Sequence, residues 1–292
     1  MSLGETFDLP DGRTLGFDEV GDPAGVPVLF LHGTPDSRRA RHPDDGLAAA
    51  LGVRLVAIDR PGIGLSSPHP TATVGSVADD AVALADHLGV ERWHPFGWSG
   101  GAPFAVALAA RHPDRVTRAA VAAGLVPFEA YATPKILDQA DGGRHLVAEL
   151  GADLGAAATA EMAAPMLAPH PCDLALAREH VLEGADPDRR ATYDAVPGLV
   201  DAMAAGVVDA VAQGLDGLVR EVELQVEAPD VDWPTATAPV DLWYGGLDHT
   251  APVAFGEWWA DVLPDAVLHV LPDDGHLLAI TRWEEILRTL VR

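Results

Sequence analysis

Apolar residues in this chain gather into short continuous runs, and stretches of helical spacing separate them. Val26-Pro27-Val28-Leu29-Phe30-Leu31 is the clearest run. Strands buried on both faces of a sheet read this way. Comparable runs recur near Val53, over 91–96, near Val116, over 239–244 and over 266–271, and a β-hairpin is expected over 5–9 and 13–20. Between them, Val77, Ala81, Leu84 and Leu88 follow helical spacing, with Gly89 placed to end that helix. The alanine-rich stretch 102–111 is also helical in character. Strand and helix in alternation predict an α/β fold, with a mostly parallel central sheet flanked by helices.

The alternation stops after Val121-Ala122-Ala123-Gly124. From about 127 to 234 the sequence offers no convincing strand, only segments rich in Ala, Leu, Asp and Glu. Thr133-Pro134 and Asp186-Pro187 each read as an N-cap followed by proline at the first helical position. These features predict a core over 1–126 and 235–292, with 127–234 inserted as a helical cap above the C-terminal edge of the sheet. Apolar cap residues would face a pocket there, while its Asp and Glu stay in solvent.

The chemistry-bearing motifs sit at the ends of the runs. Gly97-Trp98-Ser99-Gly100-Gly101 is a G-x-S-x-G between an expected strand and helix. Such a turn projects the hydroxyl clear of the sheet and aims the first free N–H groups of the helix at any oxyanion formed there. A glycine-rich turn without chemistry remains the bland alternative. Further motifs follow other strands: His32-Gly33-Thr34-Pro35-Asp36-Ser37, then Gly245-Gly246-Leu247-Asp248, then Asp273-Asp274-Gly275-His276. Positions just past strand ends are where ligands and catalytic groups of open α/β sheets collect.

With these residues in place, the chain resembles the α/β-hydrolase superfamily, in its serine esterase-like branch, over nearly its whole length. Ser99, Asp248 and His276 match the nucleophile–acid–histidine order of that family. Asp59-Arg60-Pro61-Gly62-Ile63-Gly64-Leu65-Ser66 resembles the D-x-x-G-x-G-x-S loop of esterase-like and haloperoxidase-like members. The resemblance implies Ser99 as nucleophile, His276 as general base and Asp248 as its orienting acid. It also implies an oxyanion hole from the N–H groups of Thr34 and Gly100, with no metal or organic cofactor. Glu129 is a rival acid, because some related enzymes carry it after the preceding strand. Serine at the elbow argues against epoxide hydrolases and haloalkane dehalogenases of this fold, which use aspartate there. Trp98, Phe128, Tyr131, Met162, Met166 and Met203 are candidate substrate contacts, each with core packing as the competing role.

Composition narrows the setting. The 292 residues carry a formal net charge of −25 and a single lysine, Lys135. That balance argues against nucleic acid and against an anionic membrane surface as partners, and leaves a small-molecule acyl substrate. The single cysteine, Cys172, excludes an internal disulfide and fits a reducing compartment. Residues 1–12 show neither a basic region nor an apolar core, so the expected location is cytoplasmic. His170-Pro171-Cys172 with His180 could be drawn as a metal cluster, but the prolines and the missing fourth ligand favour a structural reading. Oligomeric state is open.

The expected activity is hydrolysis of an ester, lactone or similar acyl compound through an acyl-enzyme on Ser99. Three alternatives stand beside it. They are an aminopeptidase of the proline-releasing type, a biosynthetic lyase or cyclase using the same triad, and a ligand-binding receptor with vestigial turnover. Gly100 after Ser99 weighs against the aminopeptidase, whose elbow usually has tryptophan there.

Overall fold

The computed structural model describes residues 2–139 and 173–292. Eight strands form one sheet: β1 (Ser2–Asp8), β2 (Thr14–Gly21), β3 (Val26–Leu31), β4 (Val53–Ile58), β5 (His94–Trp98), β6 (Ala119–Ala122), β7 (Val240–Gly245) and β8 (Ala266–Leu271). Their order is β1-β2-β4-β3-β5-β6-β7-β8. The β1–β2 and β2–β4 pairs are antiparallel, and every later pair is parallel. β3 has β4 on one side and β5 on the other, so successive crossovers leave it in opposite directions. Loops that follow strands on either side of such a switch diverge and open a crevice at the C-terminal edge.

The described helices of the first half are α1 (Asp45–Ala50), α2 (Val74–Leu88), α3 (Ala102–Arg111) and α4 (Pro134–Gln139). Thr73 and Ser76 form a capping box at the start of α2, and Gly89, at φ 66°, ends it. Between β6 and β7 follow α5 (Leu174–Glu183), α6 (Pro187–Ala195), α7 (Leu199–Ala210) and α8 (Asp216–Val226). No strand occurs among the described residues of this segment. Asp186 caps α6, its side chain accepting from Arg189 N at 2.8 Å. α9 (Val253–Val262), α10 (Leu278–Thr281) and α11 (Trp283–Leu290) complete the chain. No described helix is long and apolar enough to cross a membrane.

Two expected strands shift. The run over 91–96 becomes β5 at 94–98, and the strand expected around Val116 begins at Ala119, because Val116 only bridges to Trp93. The shift carries Trp98 to the strand end and puts Ser99 at its first step out of the sheet.

Because successive strand residues point to opposite faces, β5 is covered twice. Phe96 meets Trp283 of α11 at a ring separation of 5.2 Å, and Phe30 meets it at 5.4 Å. On the other face α3 lies almost on the backbone. A Cβ on Gly97 would sit 2.6 Å from Gly101 O and 2.9 Å from Ala105 Cβ, and one on Gly101 would collide with Leu31 O. Gly101→Ala is therefore expected to lower unfolding free energy by about 1–3 kcal/mol, read as a lower urea midpoint. Gly184→Ala is the control, since the nearest atom to its added Cβ is His180 O at 3.5 Å. Its stability should stay within about 0.5 kcal/mol of the parent.

Candidate active site

Ser99 leaves β5 with φ 51°, a left-handed conformation that costs a non-glycine residue about 1–3 kcal/mol. Its carbonyl is held by Leu125 N at 3.0 Å. The turn lifts Ser99 Oγ to within 3.1 Å of His276 Nε2, and His276 Nδ1 lies 2.8 Å from Asp248 Oδ2. A carboxylate only accepts, so the imidazole proton sits on Nδ1 and leaves Nε2 free to accept from the serine. Asp248 is 4% exposed, and its other oxygen accepts from Thr250 N at 2.8 Å and Ala251 N at 3.0 Å. Trp98 Nε1 donates to His276 O at 3.2 Å, so the strand before the serine also holds the histidine's main chain. Glu129 lies elsewhere: it is exposed and accepts from Trp233 Nε1 at 3.0 Å.

The loop after β3 approaches from the adjacent strand. A Cβ on Gly33 would lie 3.3 Å from Ser99 Cβ, and one on Gly100 would collide with Thr34 Oγ1. Neither the Thr34 nor the Gly100 main-chain N–H donates a hydrogen bond among the described residues. His32 is fully buried, its Nδ1 2.7 Å from Gly33 O, while Nε2 accepts from Arg60 N at 3.4 Å. Burial, with the Arg60 cation beside it, holds this imidazole well below its usual pKa, so it stays neutral.

Arg60 ties the loop to the segment between β6 and β7. Its guanidinium donates to His32 O at 2.5 Å and Gly33 O at 2.9 Å, and pairs with Glu221 of α8. Thr34 Oγ1 donates to Glu221 and accepts from Gln225 Nε2 at 3.0 Å. Arg60 and Glu221 are 2% and 3% exposed. The acidic residues of this segment were expected in solvent; Glu221 departs from that because a buried cation awaits it.

A cavity of about 300 Å³ opens at Ser99. Its walls come from the β3 loop, from Trp98, Leu125, His276 and Leu277, and from His180, Arg189, Tyr193, Met203 and Val207 of α5, α6 and α7. Arg189 also donates to Thr250 Oγ1 at 3.2 Å, beside the turn that holds Asp248. Of the expected substrate contacts, Trp98 and Met203 line the cavity. Tyr131 does not: it meets Phe255 edge-on at 5.8 Å, and burial raises its phenol to about 12. Phe128 begins a short 3-10 turn, Phe128–Ala132, and its side chain is outside the described set; Met162 and Met166 lie outside the described residues. Sequence reading missed Arg189 and Tyr193. Their signal was present, since the capped start at Asp186-Pro187 sets them four apart on one helical face.

With the geometry in hand, the comparisons fix the class. A family model described as alpha/beta hydrolase fold matches residues 26–282. The chain belongs to that family. A proline iminopeptidase of Xylella fastidiosa is 36% identical over 118 residues, which is 37% of this chain and 36% of that relative. The match thus spans about a third of the length of such curated relatives. Among solved structures, the enol-lactonase of Burkholderia xenovorans LB400 superposes with TM-score 0.65 at 21% identity, covering 98% of each chain. A bromoperoxidase of Bacillus anthracis gives 0.70 at 18%, also covering 98% of each. These likenesses concern the fold.

Removing the Glu221 carboxylate leaves Arg60 charged, buried and unpaired. Glu221→Ala is expected to destabilise the protein by about 3–5 kcal/mol, measured by urea unfolding. Conservative Glu221→Gln, which keeps an acceptor, should cost less.

Proposed function

We propose that the protein is a serine hydrolase of carboxylesterase-like type that cleaves an ester, lactone or similar acyl compound. The observation that carries this reading is the hydrogen-bonded chain Asp248–His276–Ser99 opening on the cavity. In this mechanism His276 Nε2 takes the Ser99 proton as Oγ attacks the acyl carbon. The N–H groups of Thr34 and Gly100 hold the tetrahedral oxyanion, and His276 returns the proton to the leaving alkoxide. Water, deprotonated by His276, then cleaves the acyl-enzyme and regenerates Ser99. Asp248 keeps the imidazole in the tautomer the first step needs and stabilises its cation. We also assign 127–234 as a cap that excludes water and sizes the pocket, supported by the cavity walls that α5, α6 and α7 supply. Absence of nucleic acid and membrane partners remains part of this proposal, as does a cytoplasmic setting.

A second reading is an aminopeptidase releasing N-terminal proline, supported by the proline iminopeptidase relatives. Such an enzyme needs an acidic group free to meet the substrate amine. Glu221 is engaged by Arg60 and does not line the cavity, Asp36 lines it but is held towards its neutral form by burial, and Gly100 follows Ser99, so the ester reading is favoured. Turnover of a p-nitrophenyl ester series against proline p-nitroanilide separates the two; faster release from the anilide would reverse the order.

Ser99→Ala should lower ester kcat by at least about a thousandfold with an unchanged unfolding midpoint. Asp248→Asn should lower kcat by up to about ten-thousandfold, the magnitude known for the protease triad, whereas Glu129→Gln should stay near the parent. The reverse ranking of those two variants would move the acid to Glu129.

A further inference from the structure

Among the described residues Asp36 is the one carboxyl in the wall of the Ser99 cavity, and nothing in the proposed mechanism uses it. It follows Thr34-Pro35 in the β3 loop and is 8% exposed. Its one hydrogen bond comes from Ser37 N to Oδ1 at 3.1 Å; Oδ2 has no partner among the described residues. No cation pairs with it among those residues, although arginines are close. Arg38 is engaged by Asp18, Asp59 and Asp209, and Arg60 by Glu221. α7 is seated directly on the carboxyl, since a Cβ on Gly206 would collide with Oδ1.

A carboxylate desolvated to this degree without a counterion keeps its proton. The surrounding charges agree. Burial pushes Asp36 well above the ordinary carboxyl range, and Glu221 on α8 and Asp209 on α7 add to it; the Ser37 N–H and the Arg60 cation after β4 favour ionisation and are outweighed. From α6, Tyr193 faces it as a phenol with its own pKa raised by burial, and Arg189 and His180 stand in the same cavity wall. A protonated carboxyl is a hydrogen-bond donor.

Resting on the serine-hydrolase reading above, we propose that Asp36 selects the substrate. Its carboxylic O–H donates to an ether, carbonyl or hydroxyl oxygen on the acyl or leaving group, so the preferred substrates are oxygenated esters or lactones rather than plain alkyl esters. A hydrocarbon in that position would leave the buried donor unpaired, which is worth about ten- to a hundredfold in rate.

The test compares kcat/KM for p-nitrophenyl pentanoate with the matched 4-oxopentanoate and 3-methoxypropanoate esters, and with a 4-(trimethylammonio)butanoate ester. The parent protein should favour an oxygenated ester by about tenfold or more. In Asp36→Ala that ratio should fall towards one, and Asp36→Asn, which keeps an N–H donor of the same shape, should retain most of it. The ratio should also fall as pH rises through the raised pKa of Asp36; His276 acts on both esters alike and cancels. A ratio unmoved in Asp36→Ala, or unmoved in the pH profile should that variant fail to fold, overturns the proposal. Preference for the quaternary ammonium ester that grows with pH overturns it too, since Asp36 would then be an anionic site. Labelling of Ser99 by a fluorophosphonate keeps the two readings apart. No labelling of the parent protein defeats the hydrolase reading, whereas normal labelling with a flat ratio defeats only the role of Asp36. Where ester turnover is slow, labelling rates of paired alkyl and alkoxyalkyl fluorophosphonates give the same ratio.

Discussion

The site depends on how closely two neighbouring loops can approach, the one after β3 and the one after β5. Parallel pairing sets Leu31 beside Gly97, so both chains leave the sheet at the same level. From there, only residues without side chains allow Ser99, Gly100 and Thr34 to share one small volume. The elbow is strained at Ser99 and crowded at Gly97, Gly101 and Gly33, and it persists because α3 on one face and the Phe30–Phe96–Trp283 cluster on the other fix the strands beneath it. Backbone groups that a looser turn would leave to solvent are thereby held in place before any ligand arrives.

A second constraint is electrostatic. With 44 acidic and 19 basic side chains, the chain has few cations to bury, and the buried ones among the described residues, Arg38, Arg41 and Arg60, lie in the loops after β3 and β4. Arg38 serves Asp18, Asp59 and Asp209, Arg41 serves Asp18 and Asp45, and Arg60 serves Glu221 while stacking over Phe104 at 4.9 Å. Such pairs add little net stability over apolar packing, but they admit few alternative arrangements. They fix the loop after β3 and the loop after β4 against each other, whereas Asp36, in the first of these loops, pairs with no cation among the described residues.

Much of the fold was legible because both faces of the parallel strands are covered, which forces continuous apolar runs such as Val26–Leu31 and Val240–Gly245. Ser99, Asp248 and His276 were legible for a related reason: each lies just past such a run, where the topology collects side chains. Between β6 and β7 the pattern misleads. α5 exposes Leu174 and Leu176 while burying Ala177, so size and apolarity do not mark its inward face. Tyr131 is aromatic and near in sequence to the strand end, yet it spends its ring on Phe255. Glu221 reads as a surface acid on an amphipathic helix, and only the position of Arg60, 161 residues earlier, makes it an interior one.

The Arg60–Glu221–Gln225–Thr34 cluster has a bearing on engineering. Segments inserted between β6 and β7 invite treatment as cassettes, to be traded among scaffolds for new selectivity. Here the segment between β6 and β7 carries the counterion for Arg60, after β4, and the amide for Thr34, after β3. A graft from another protein would have to bring an acceptor for Arg60 to the same place, or the recipient would have to lose that arginine at the same time. The two parts therefore form a matched set, and a chimera that respects only the chain boundaries would break the match.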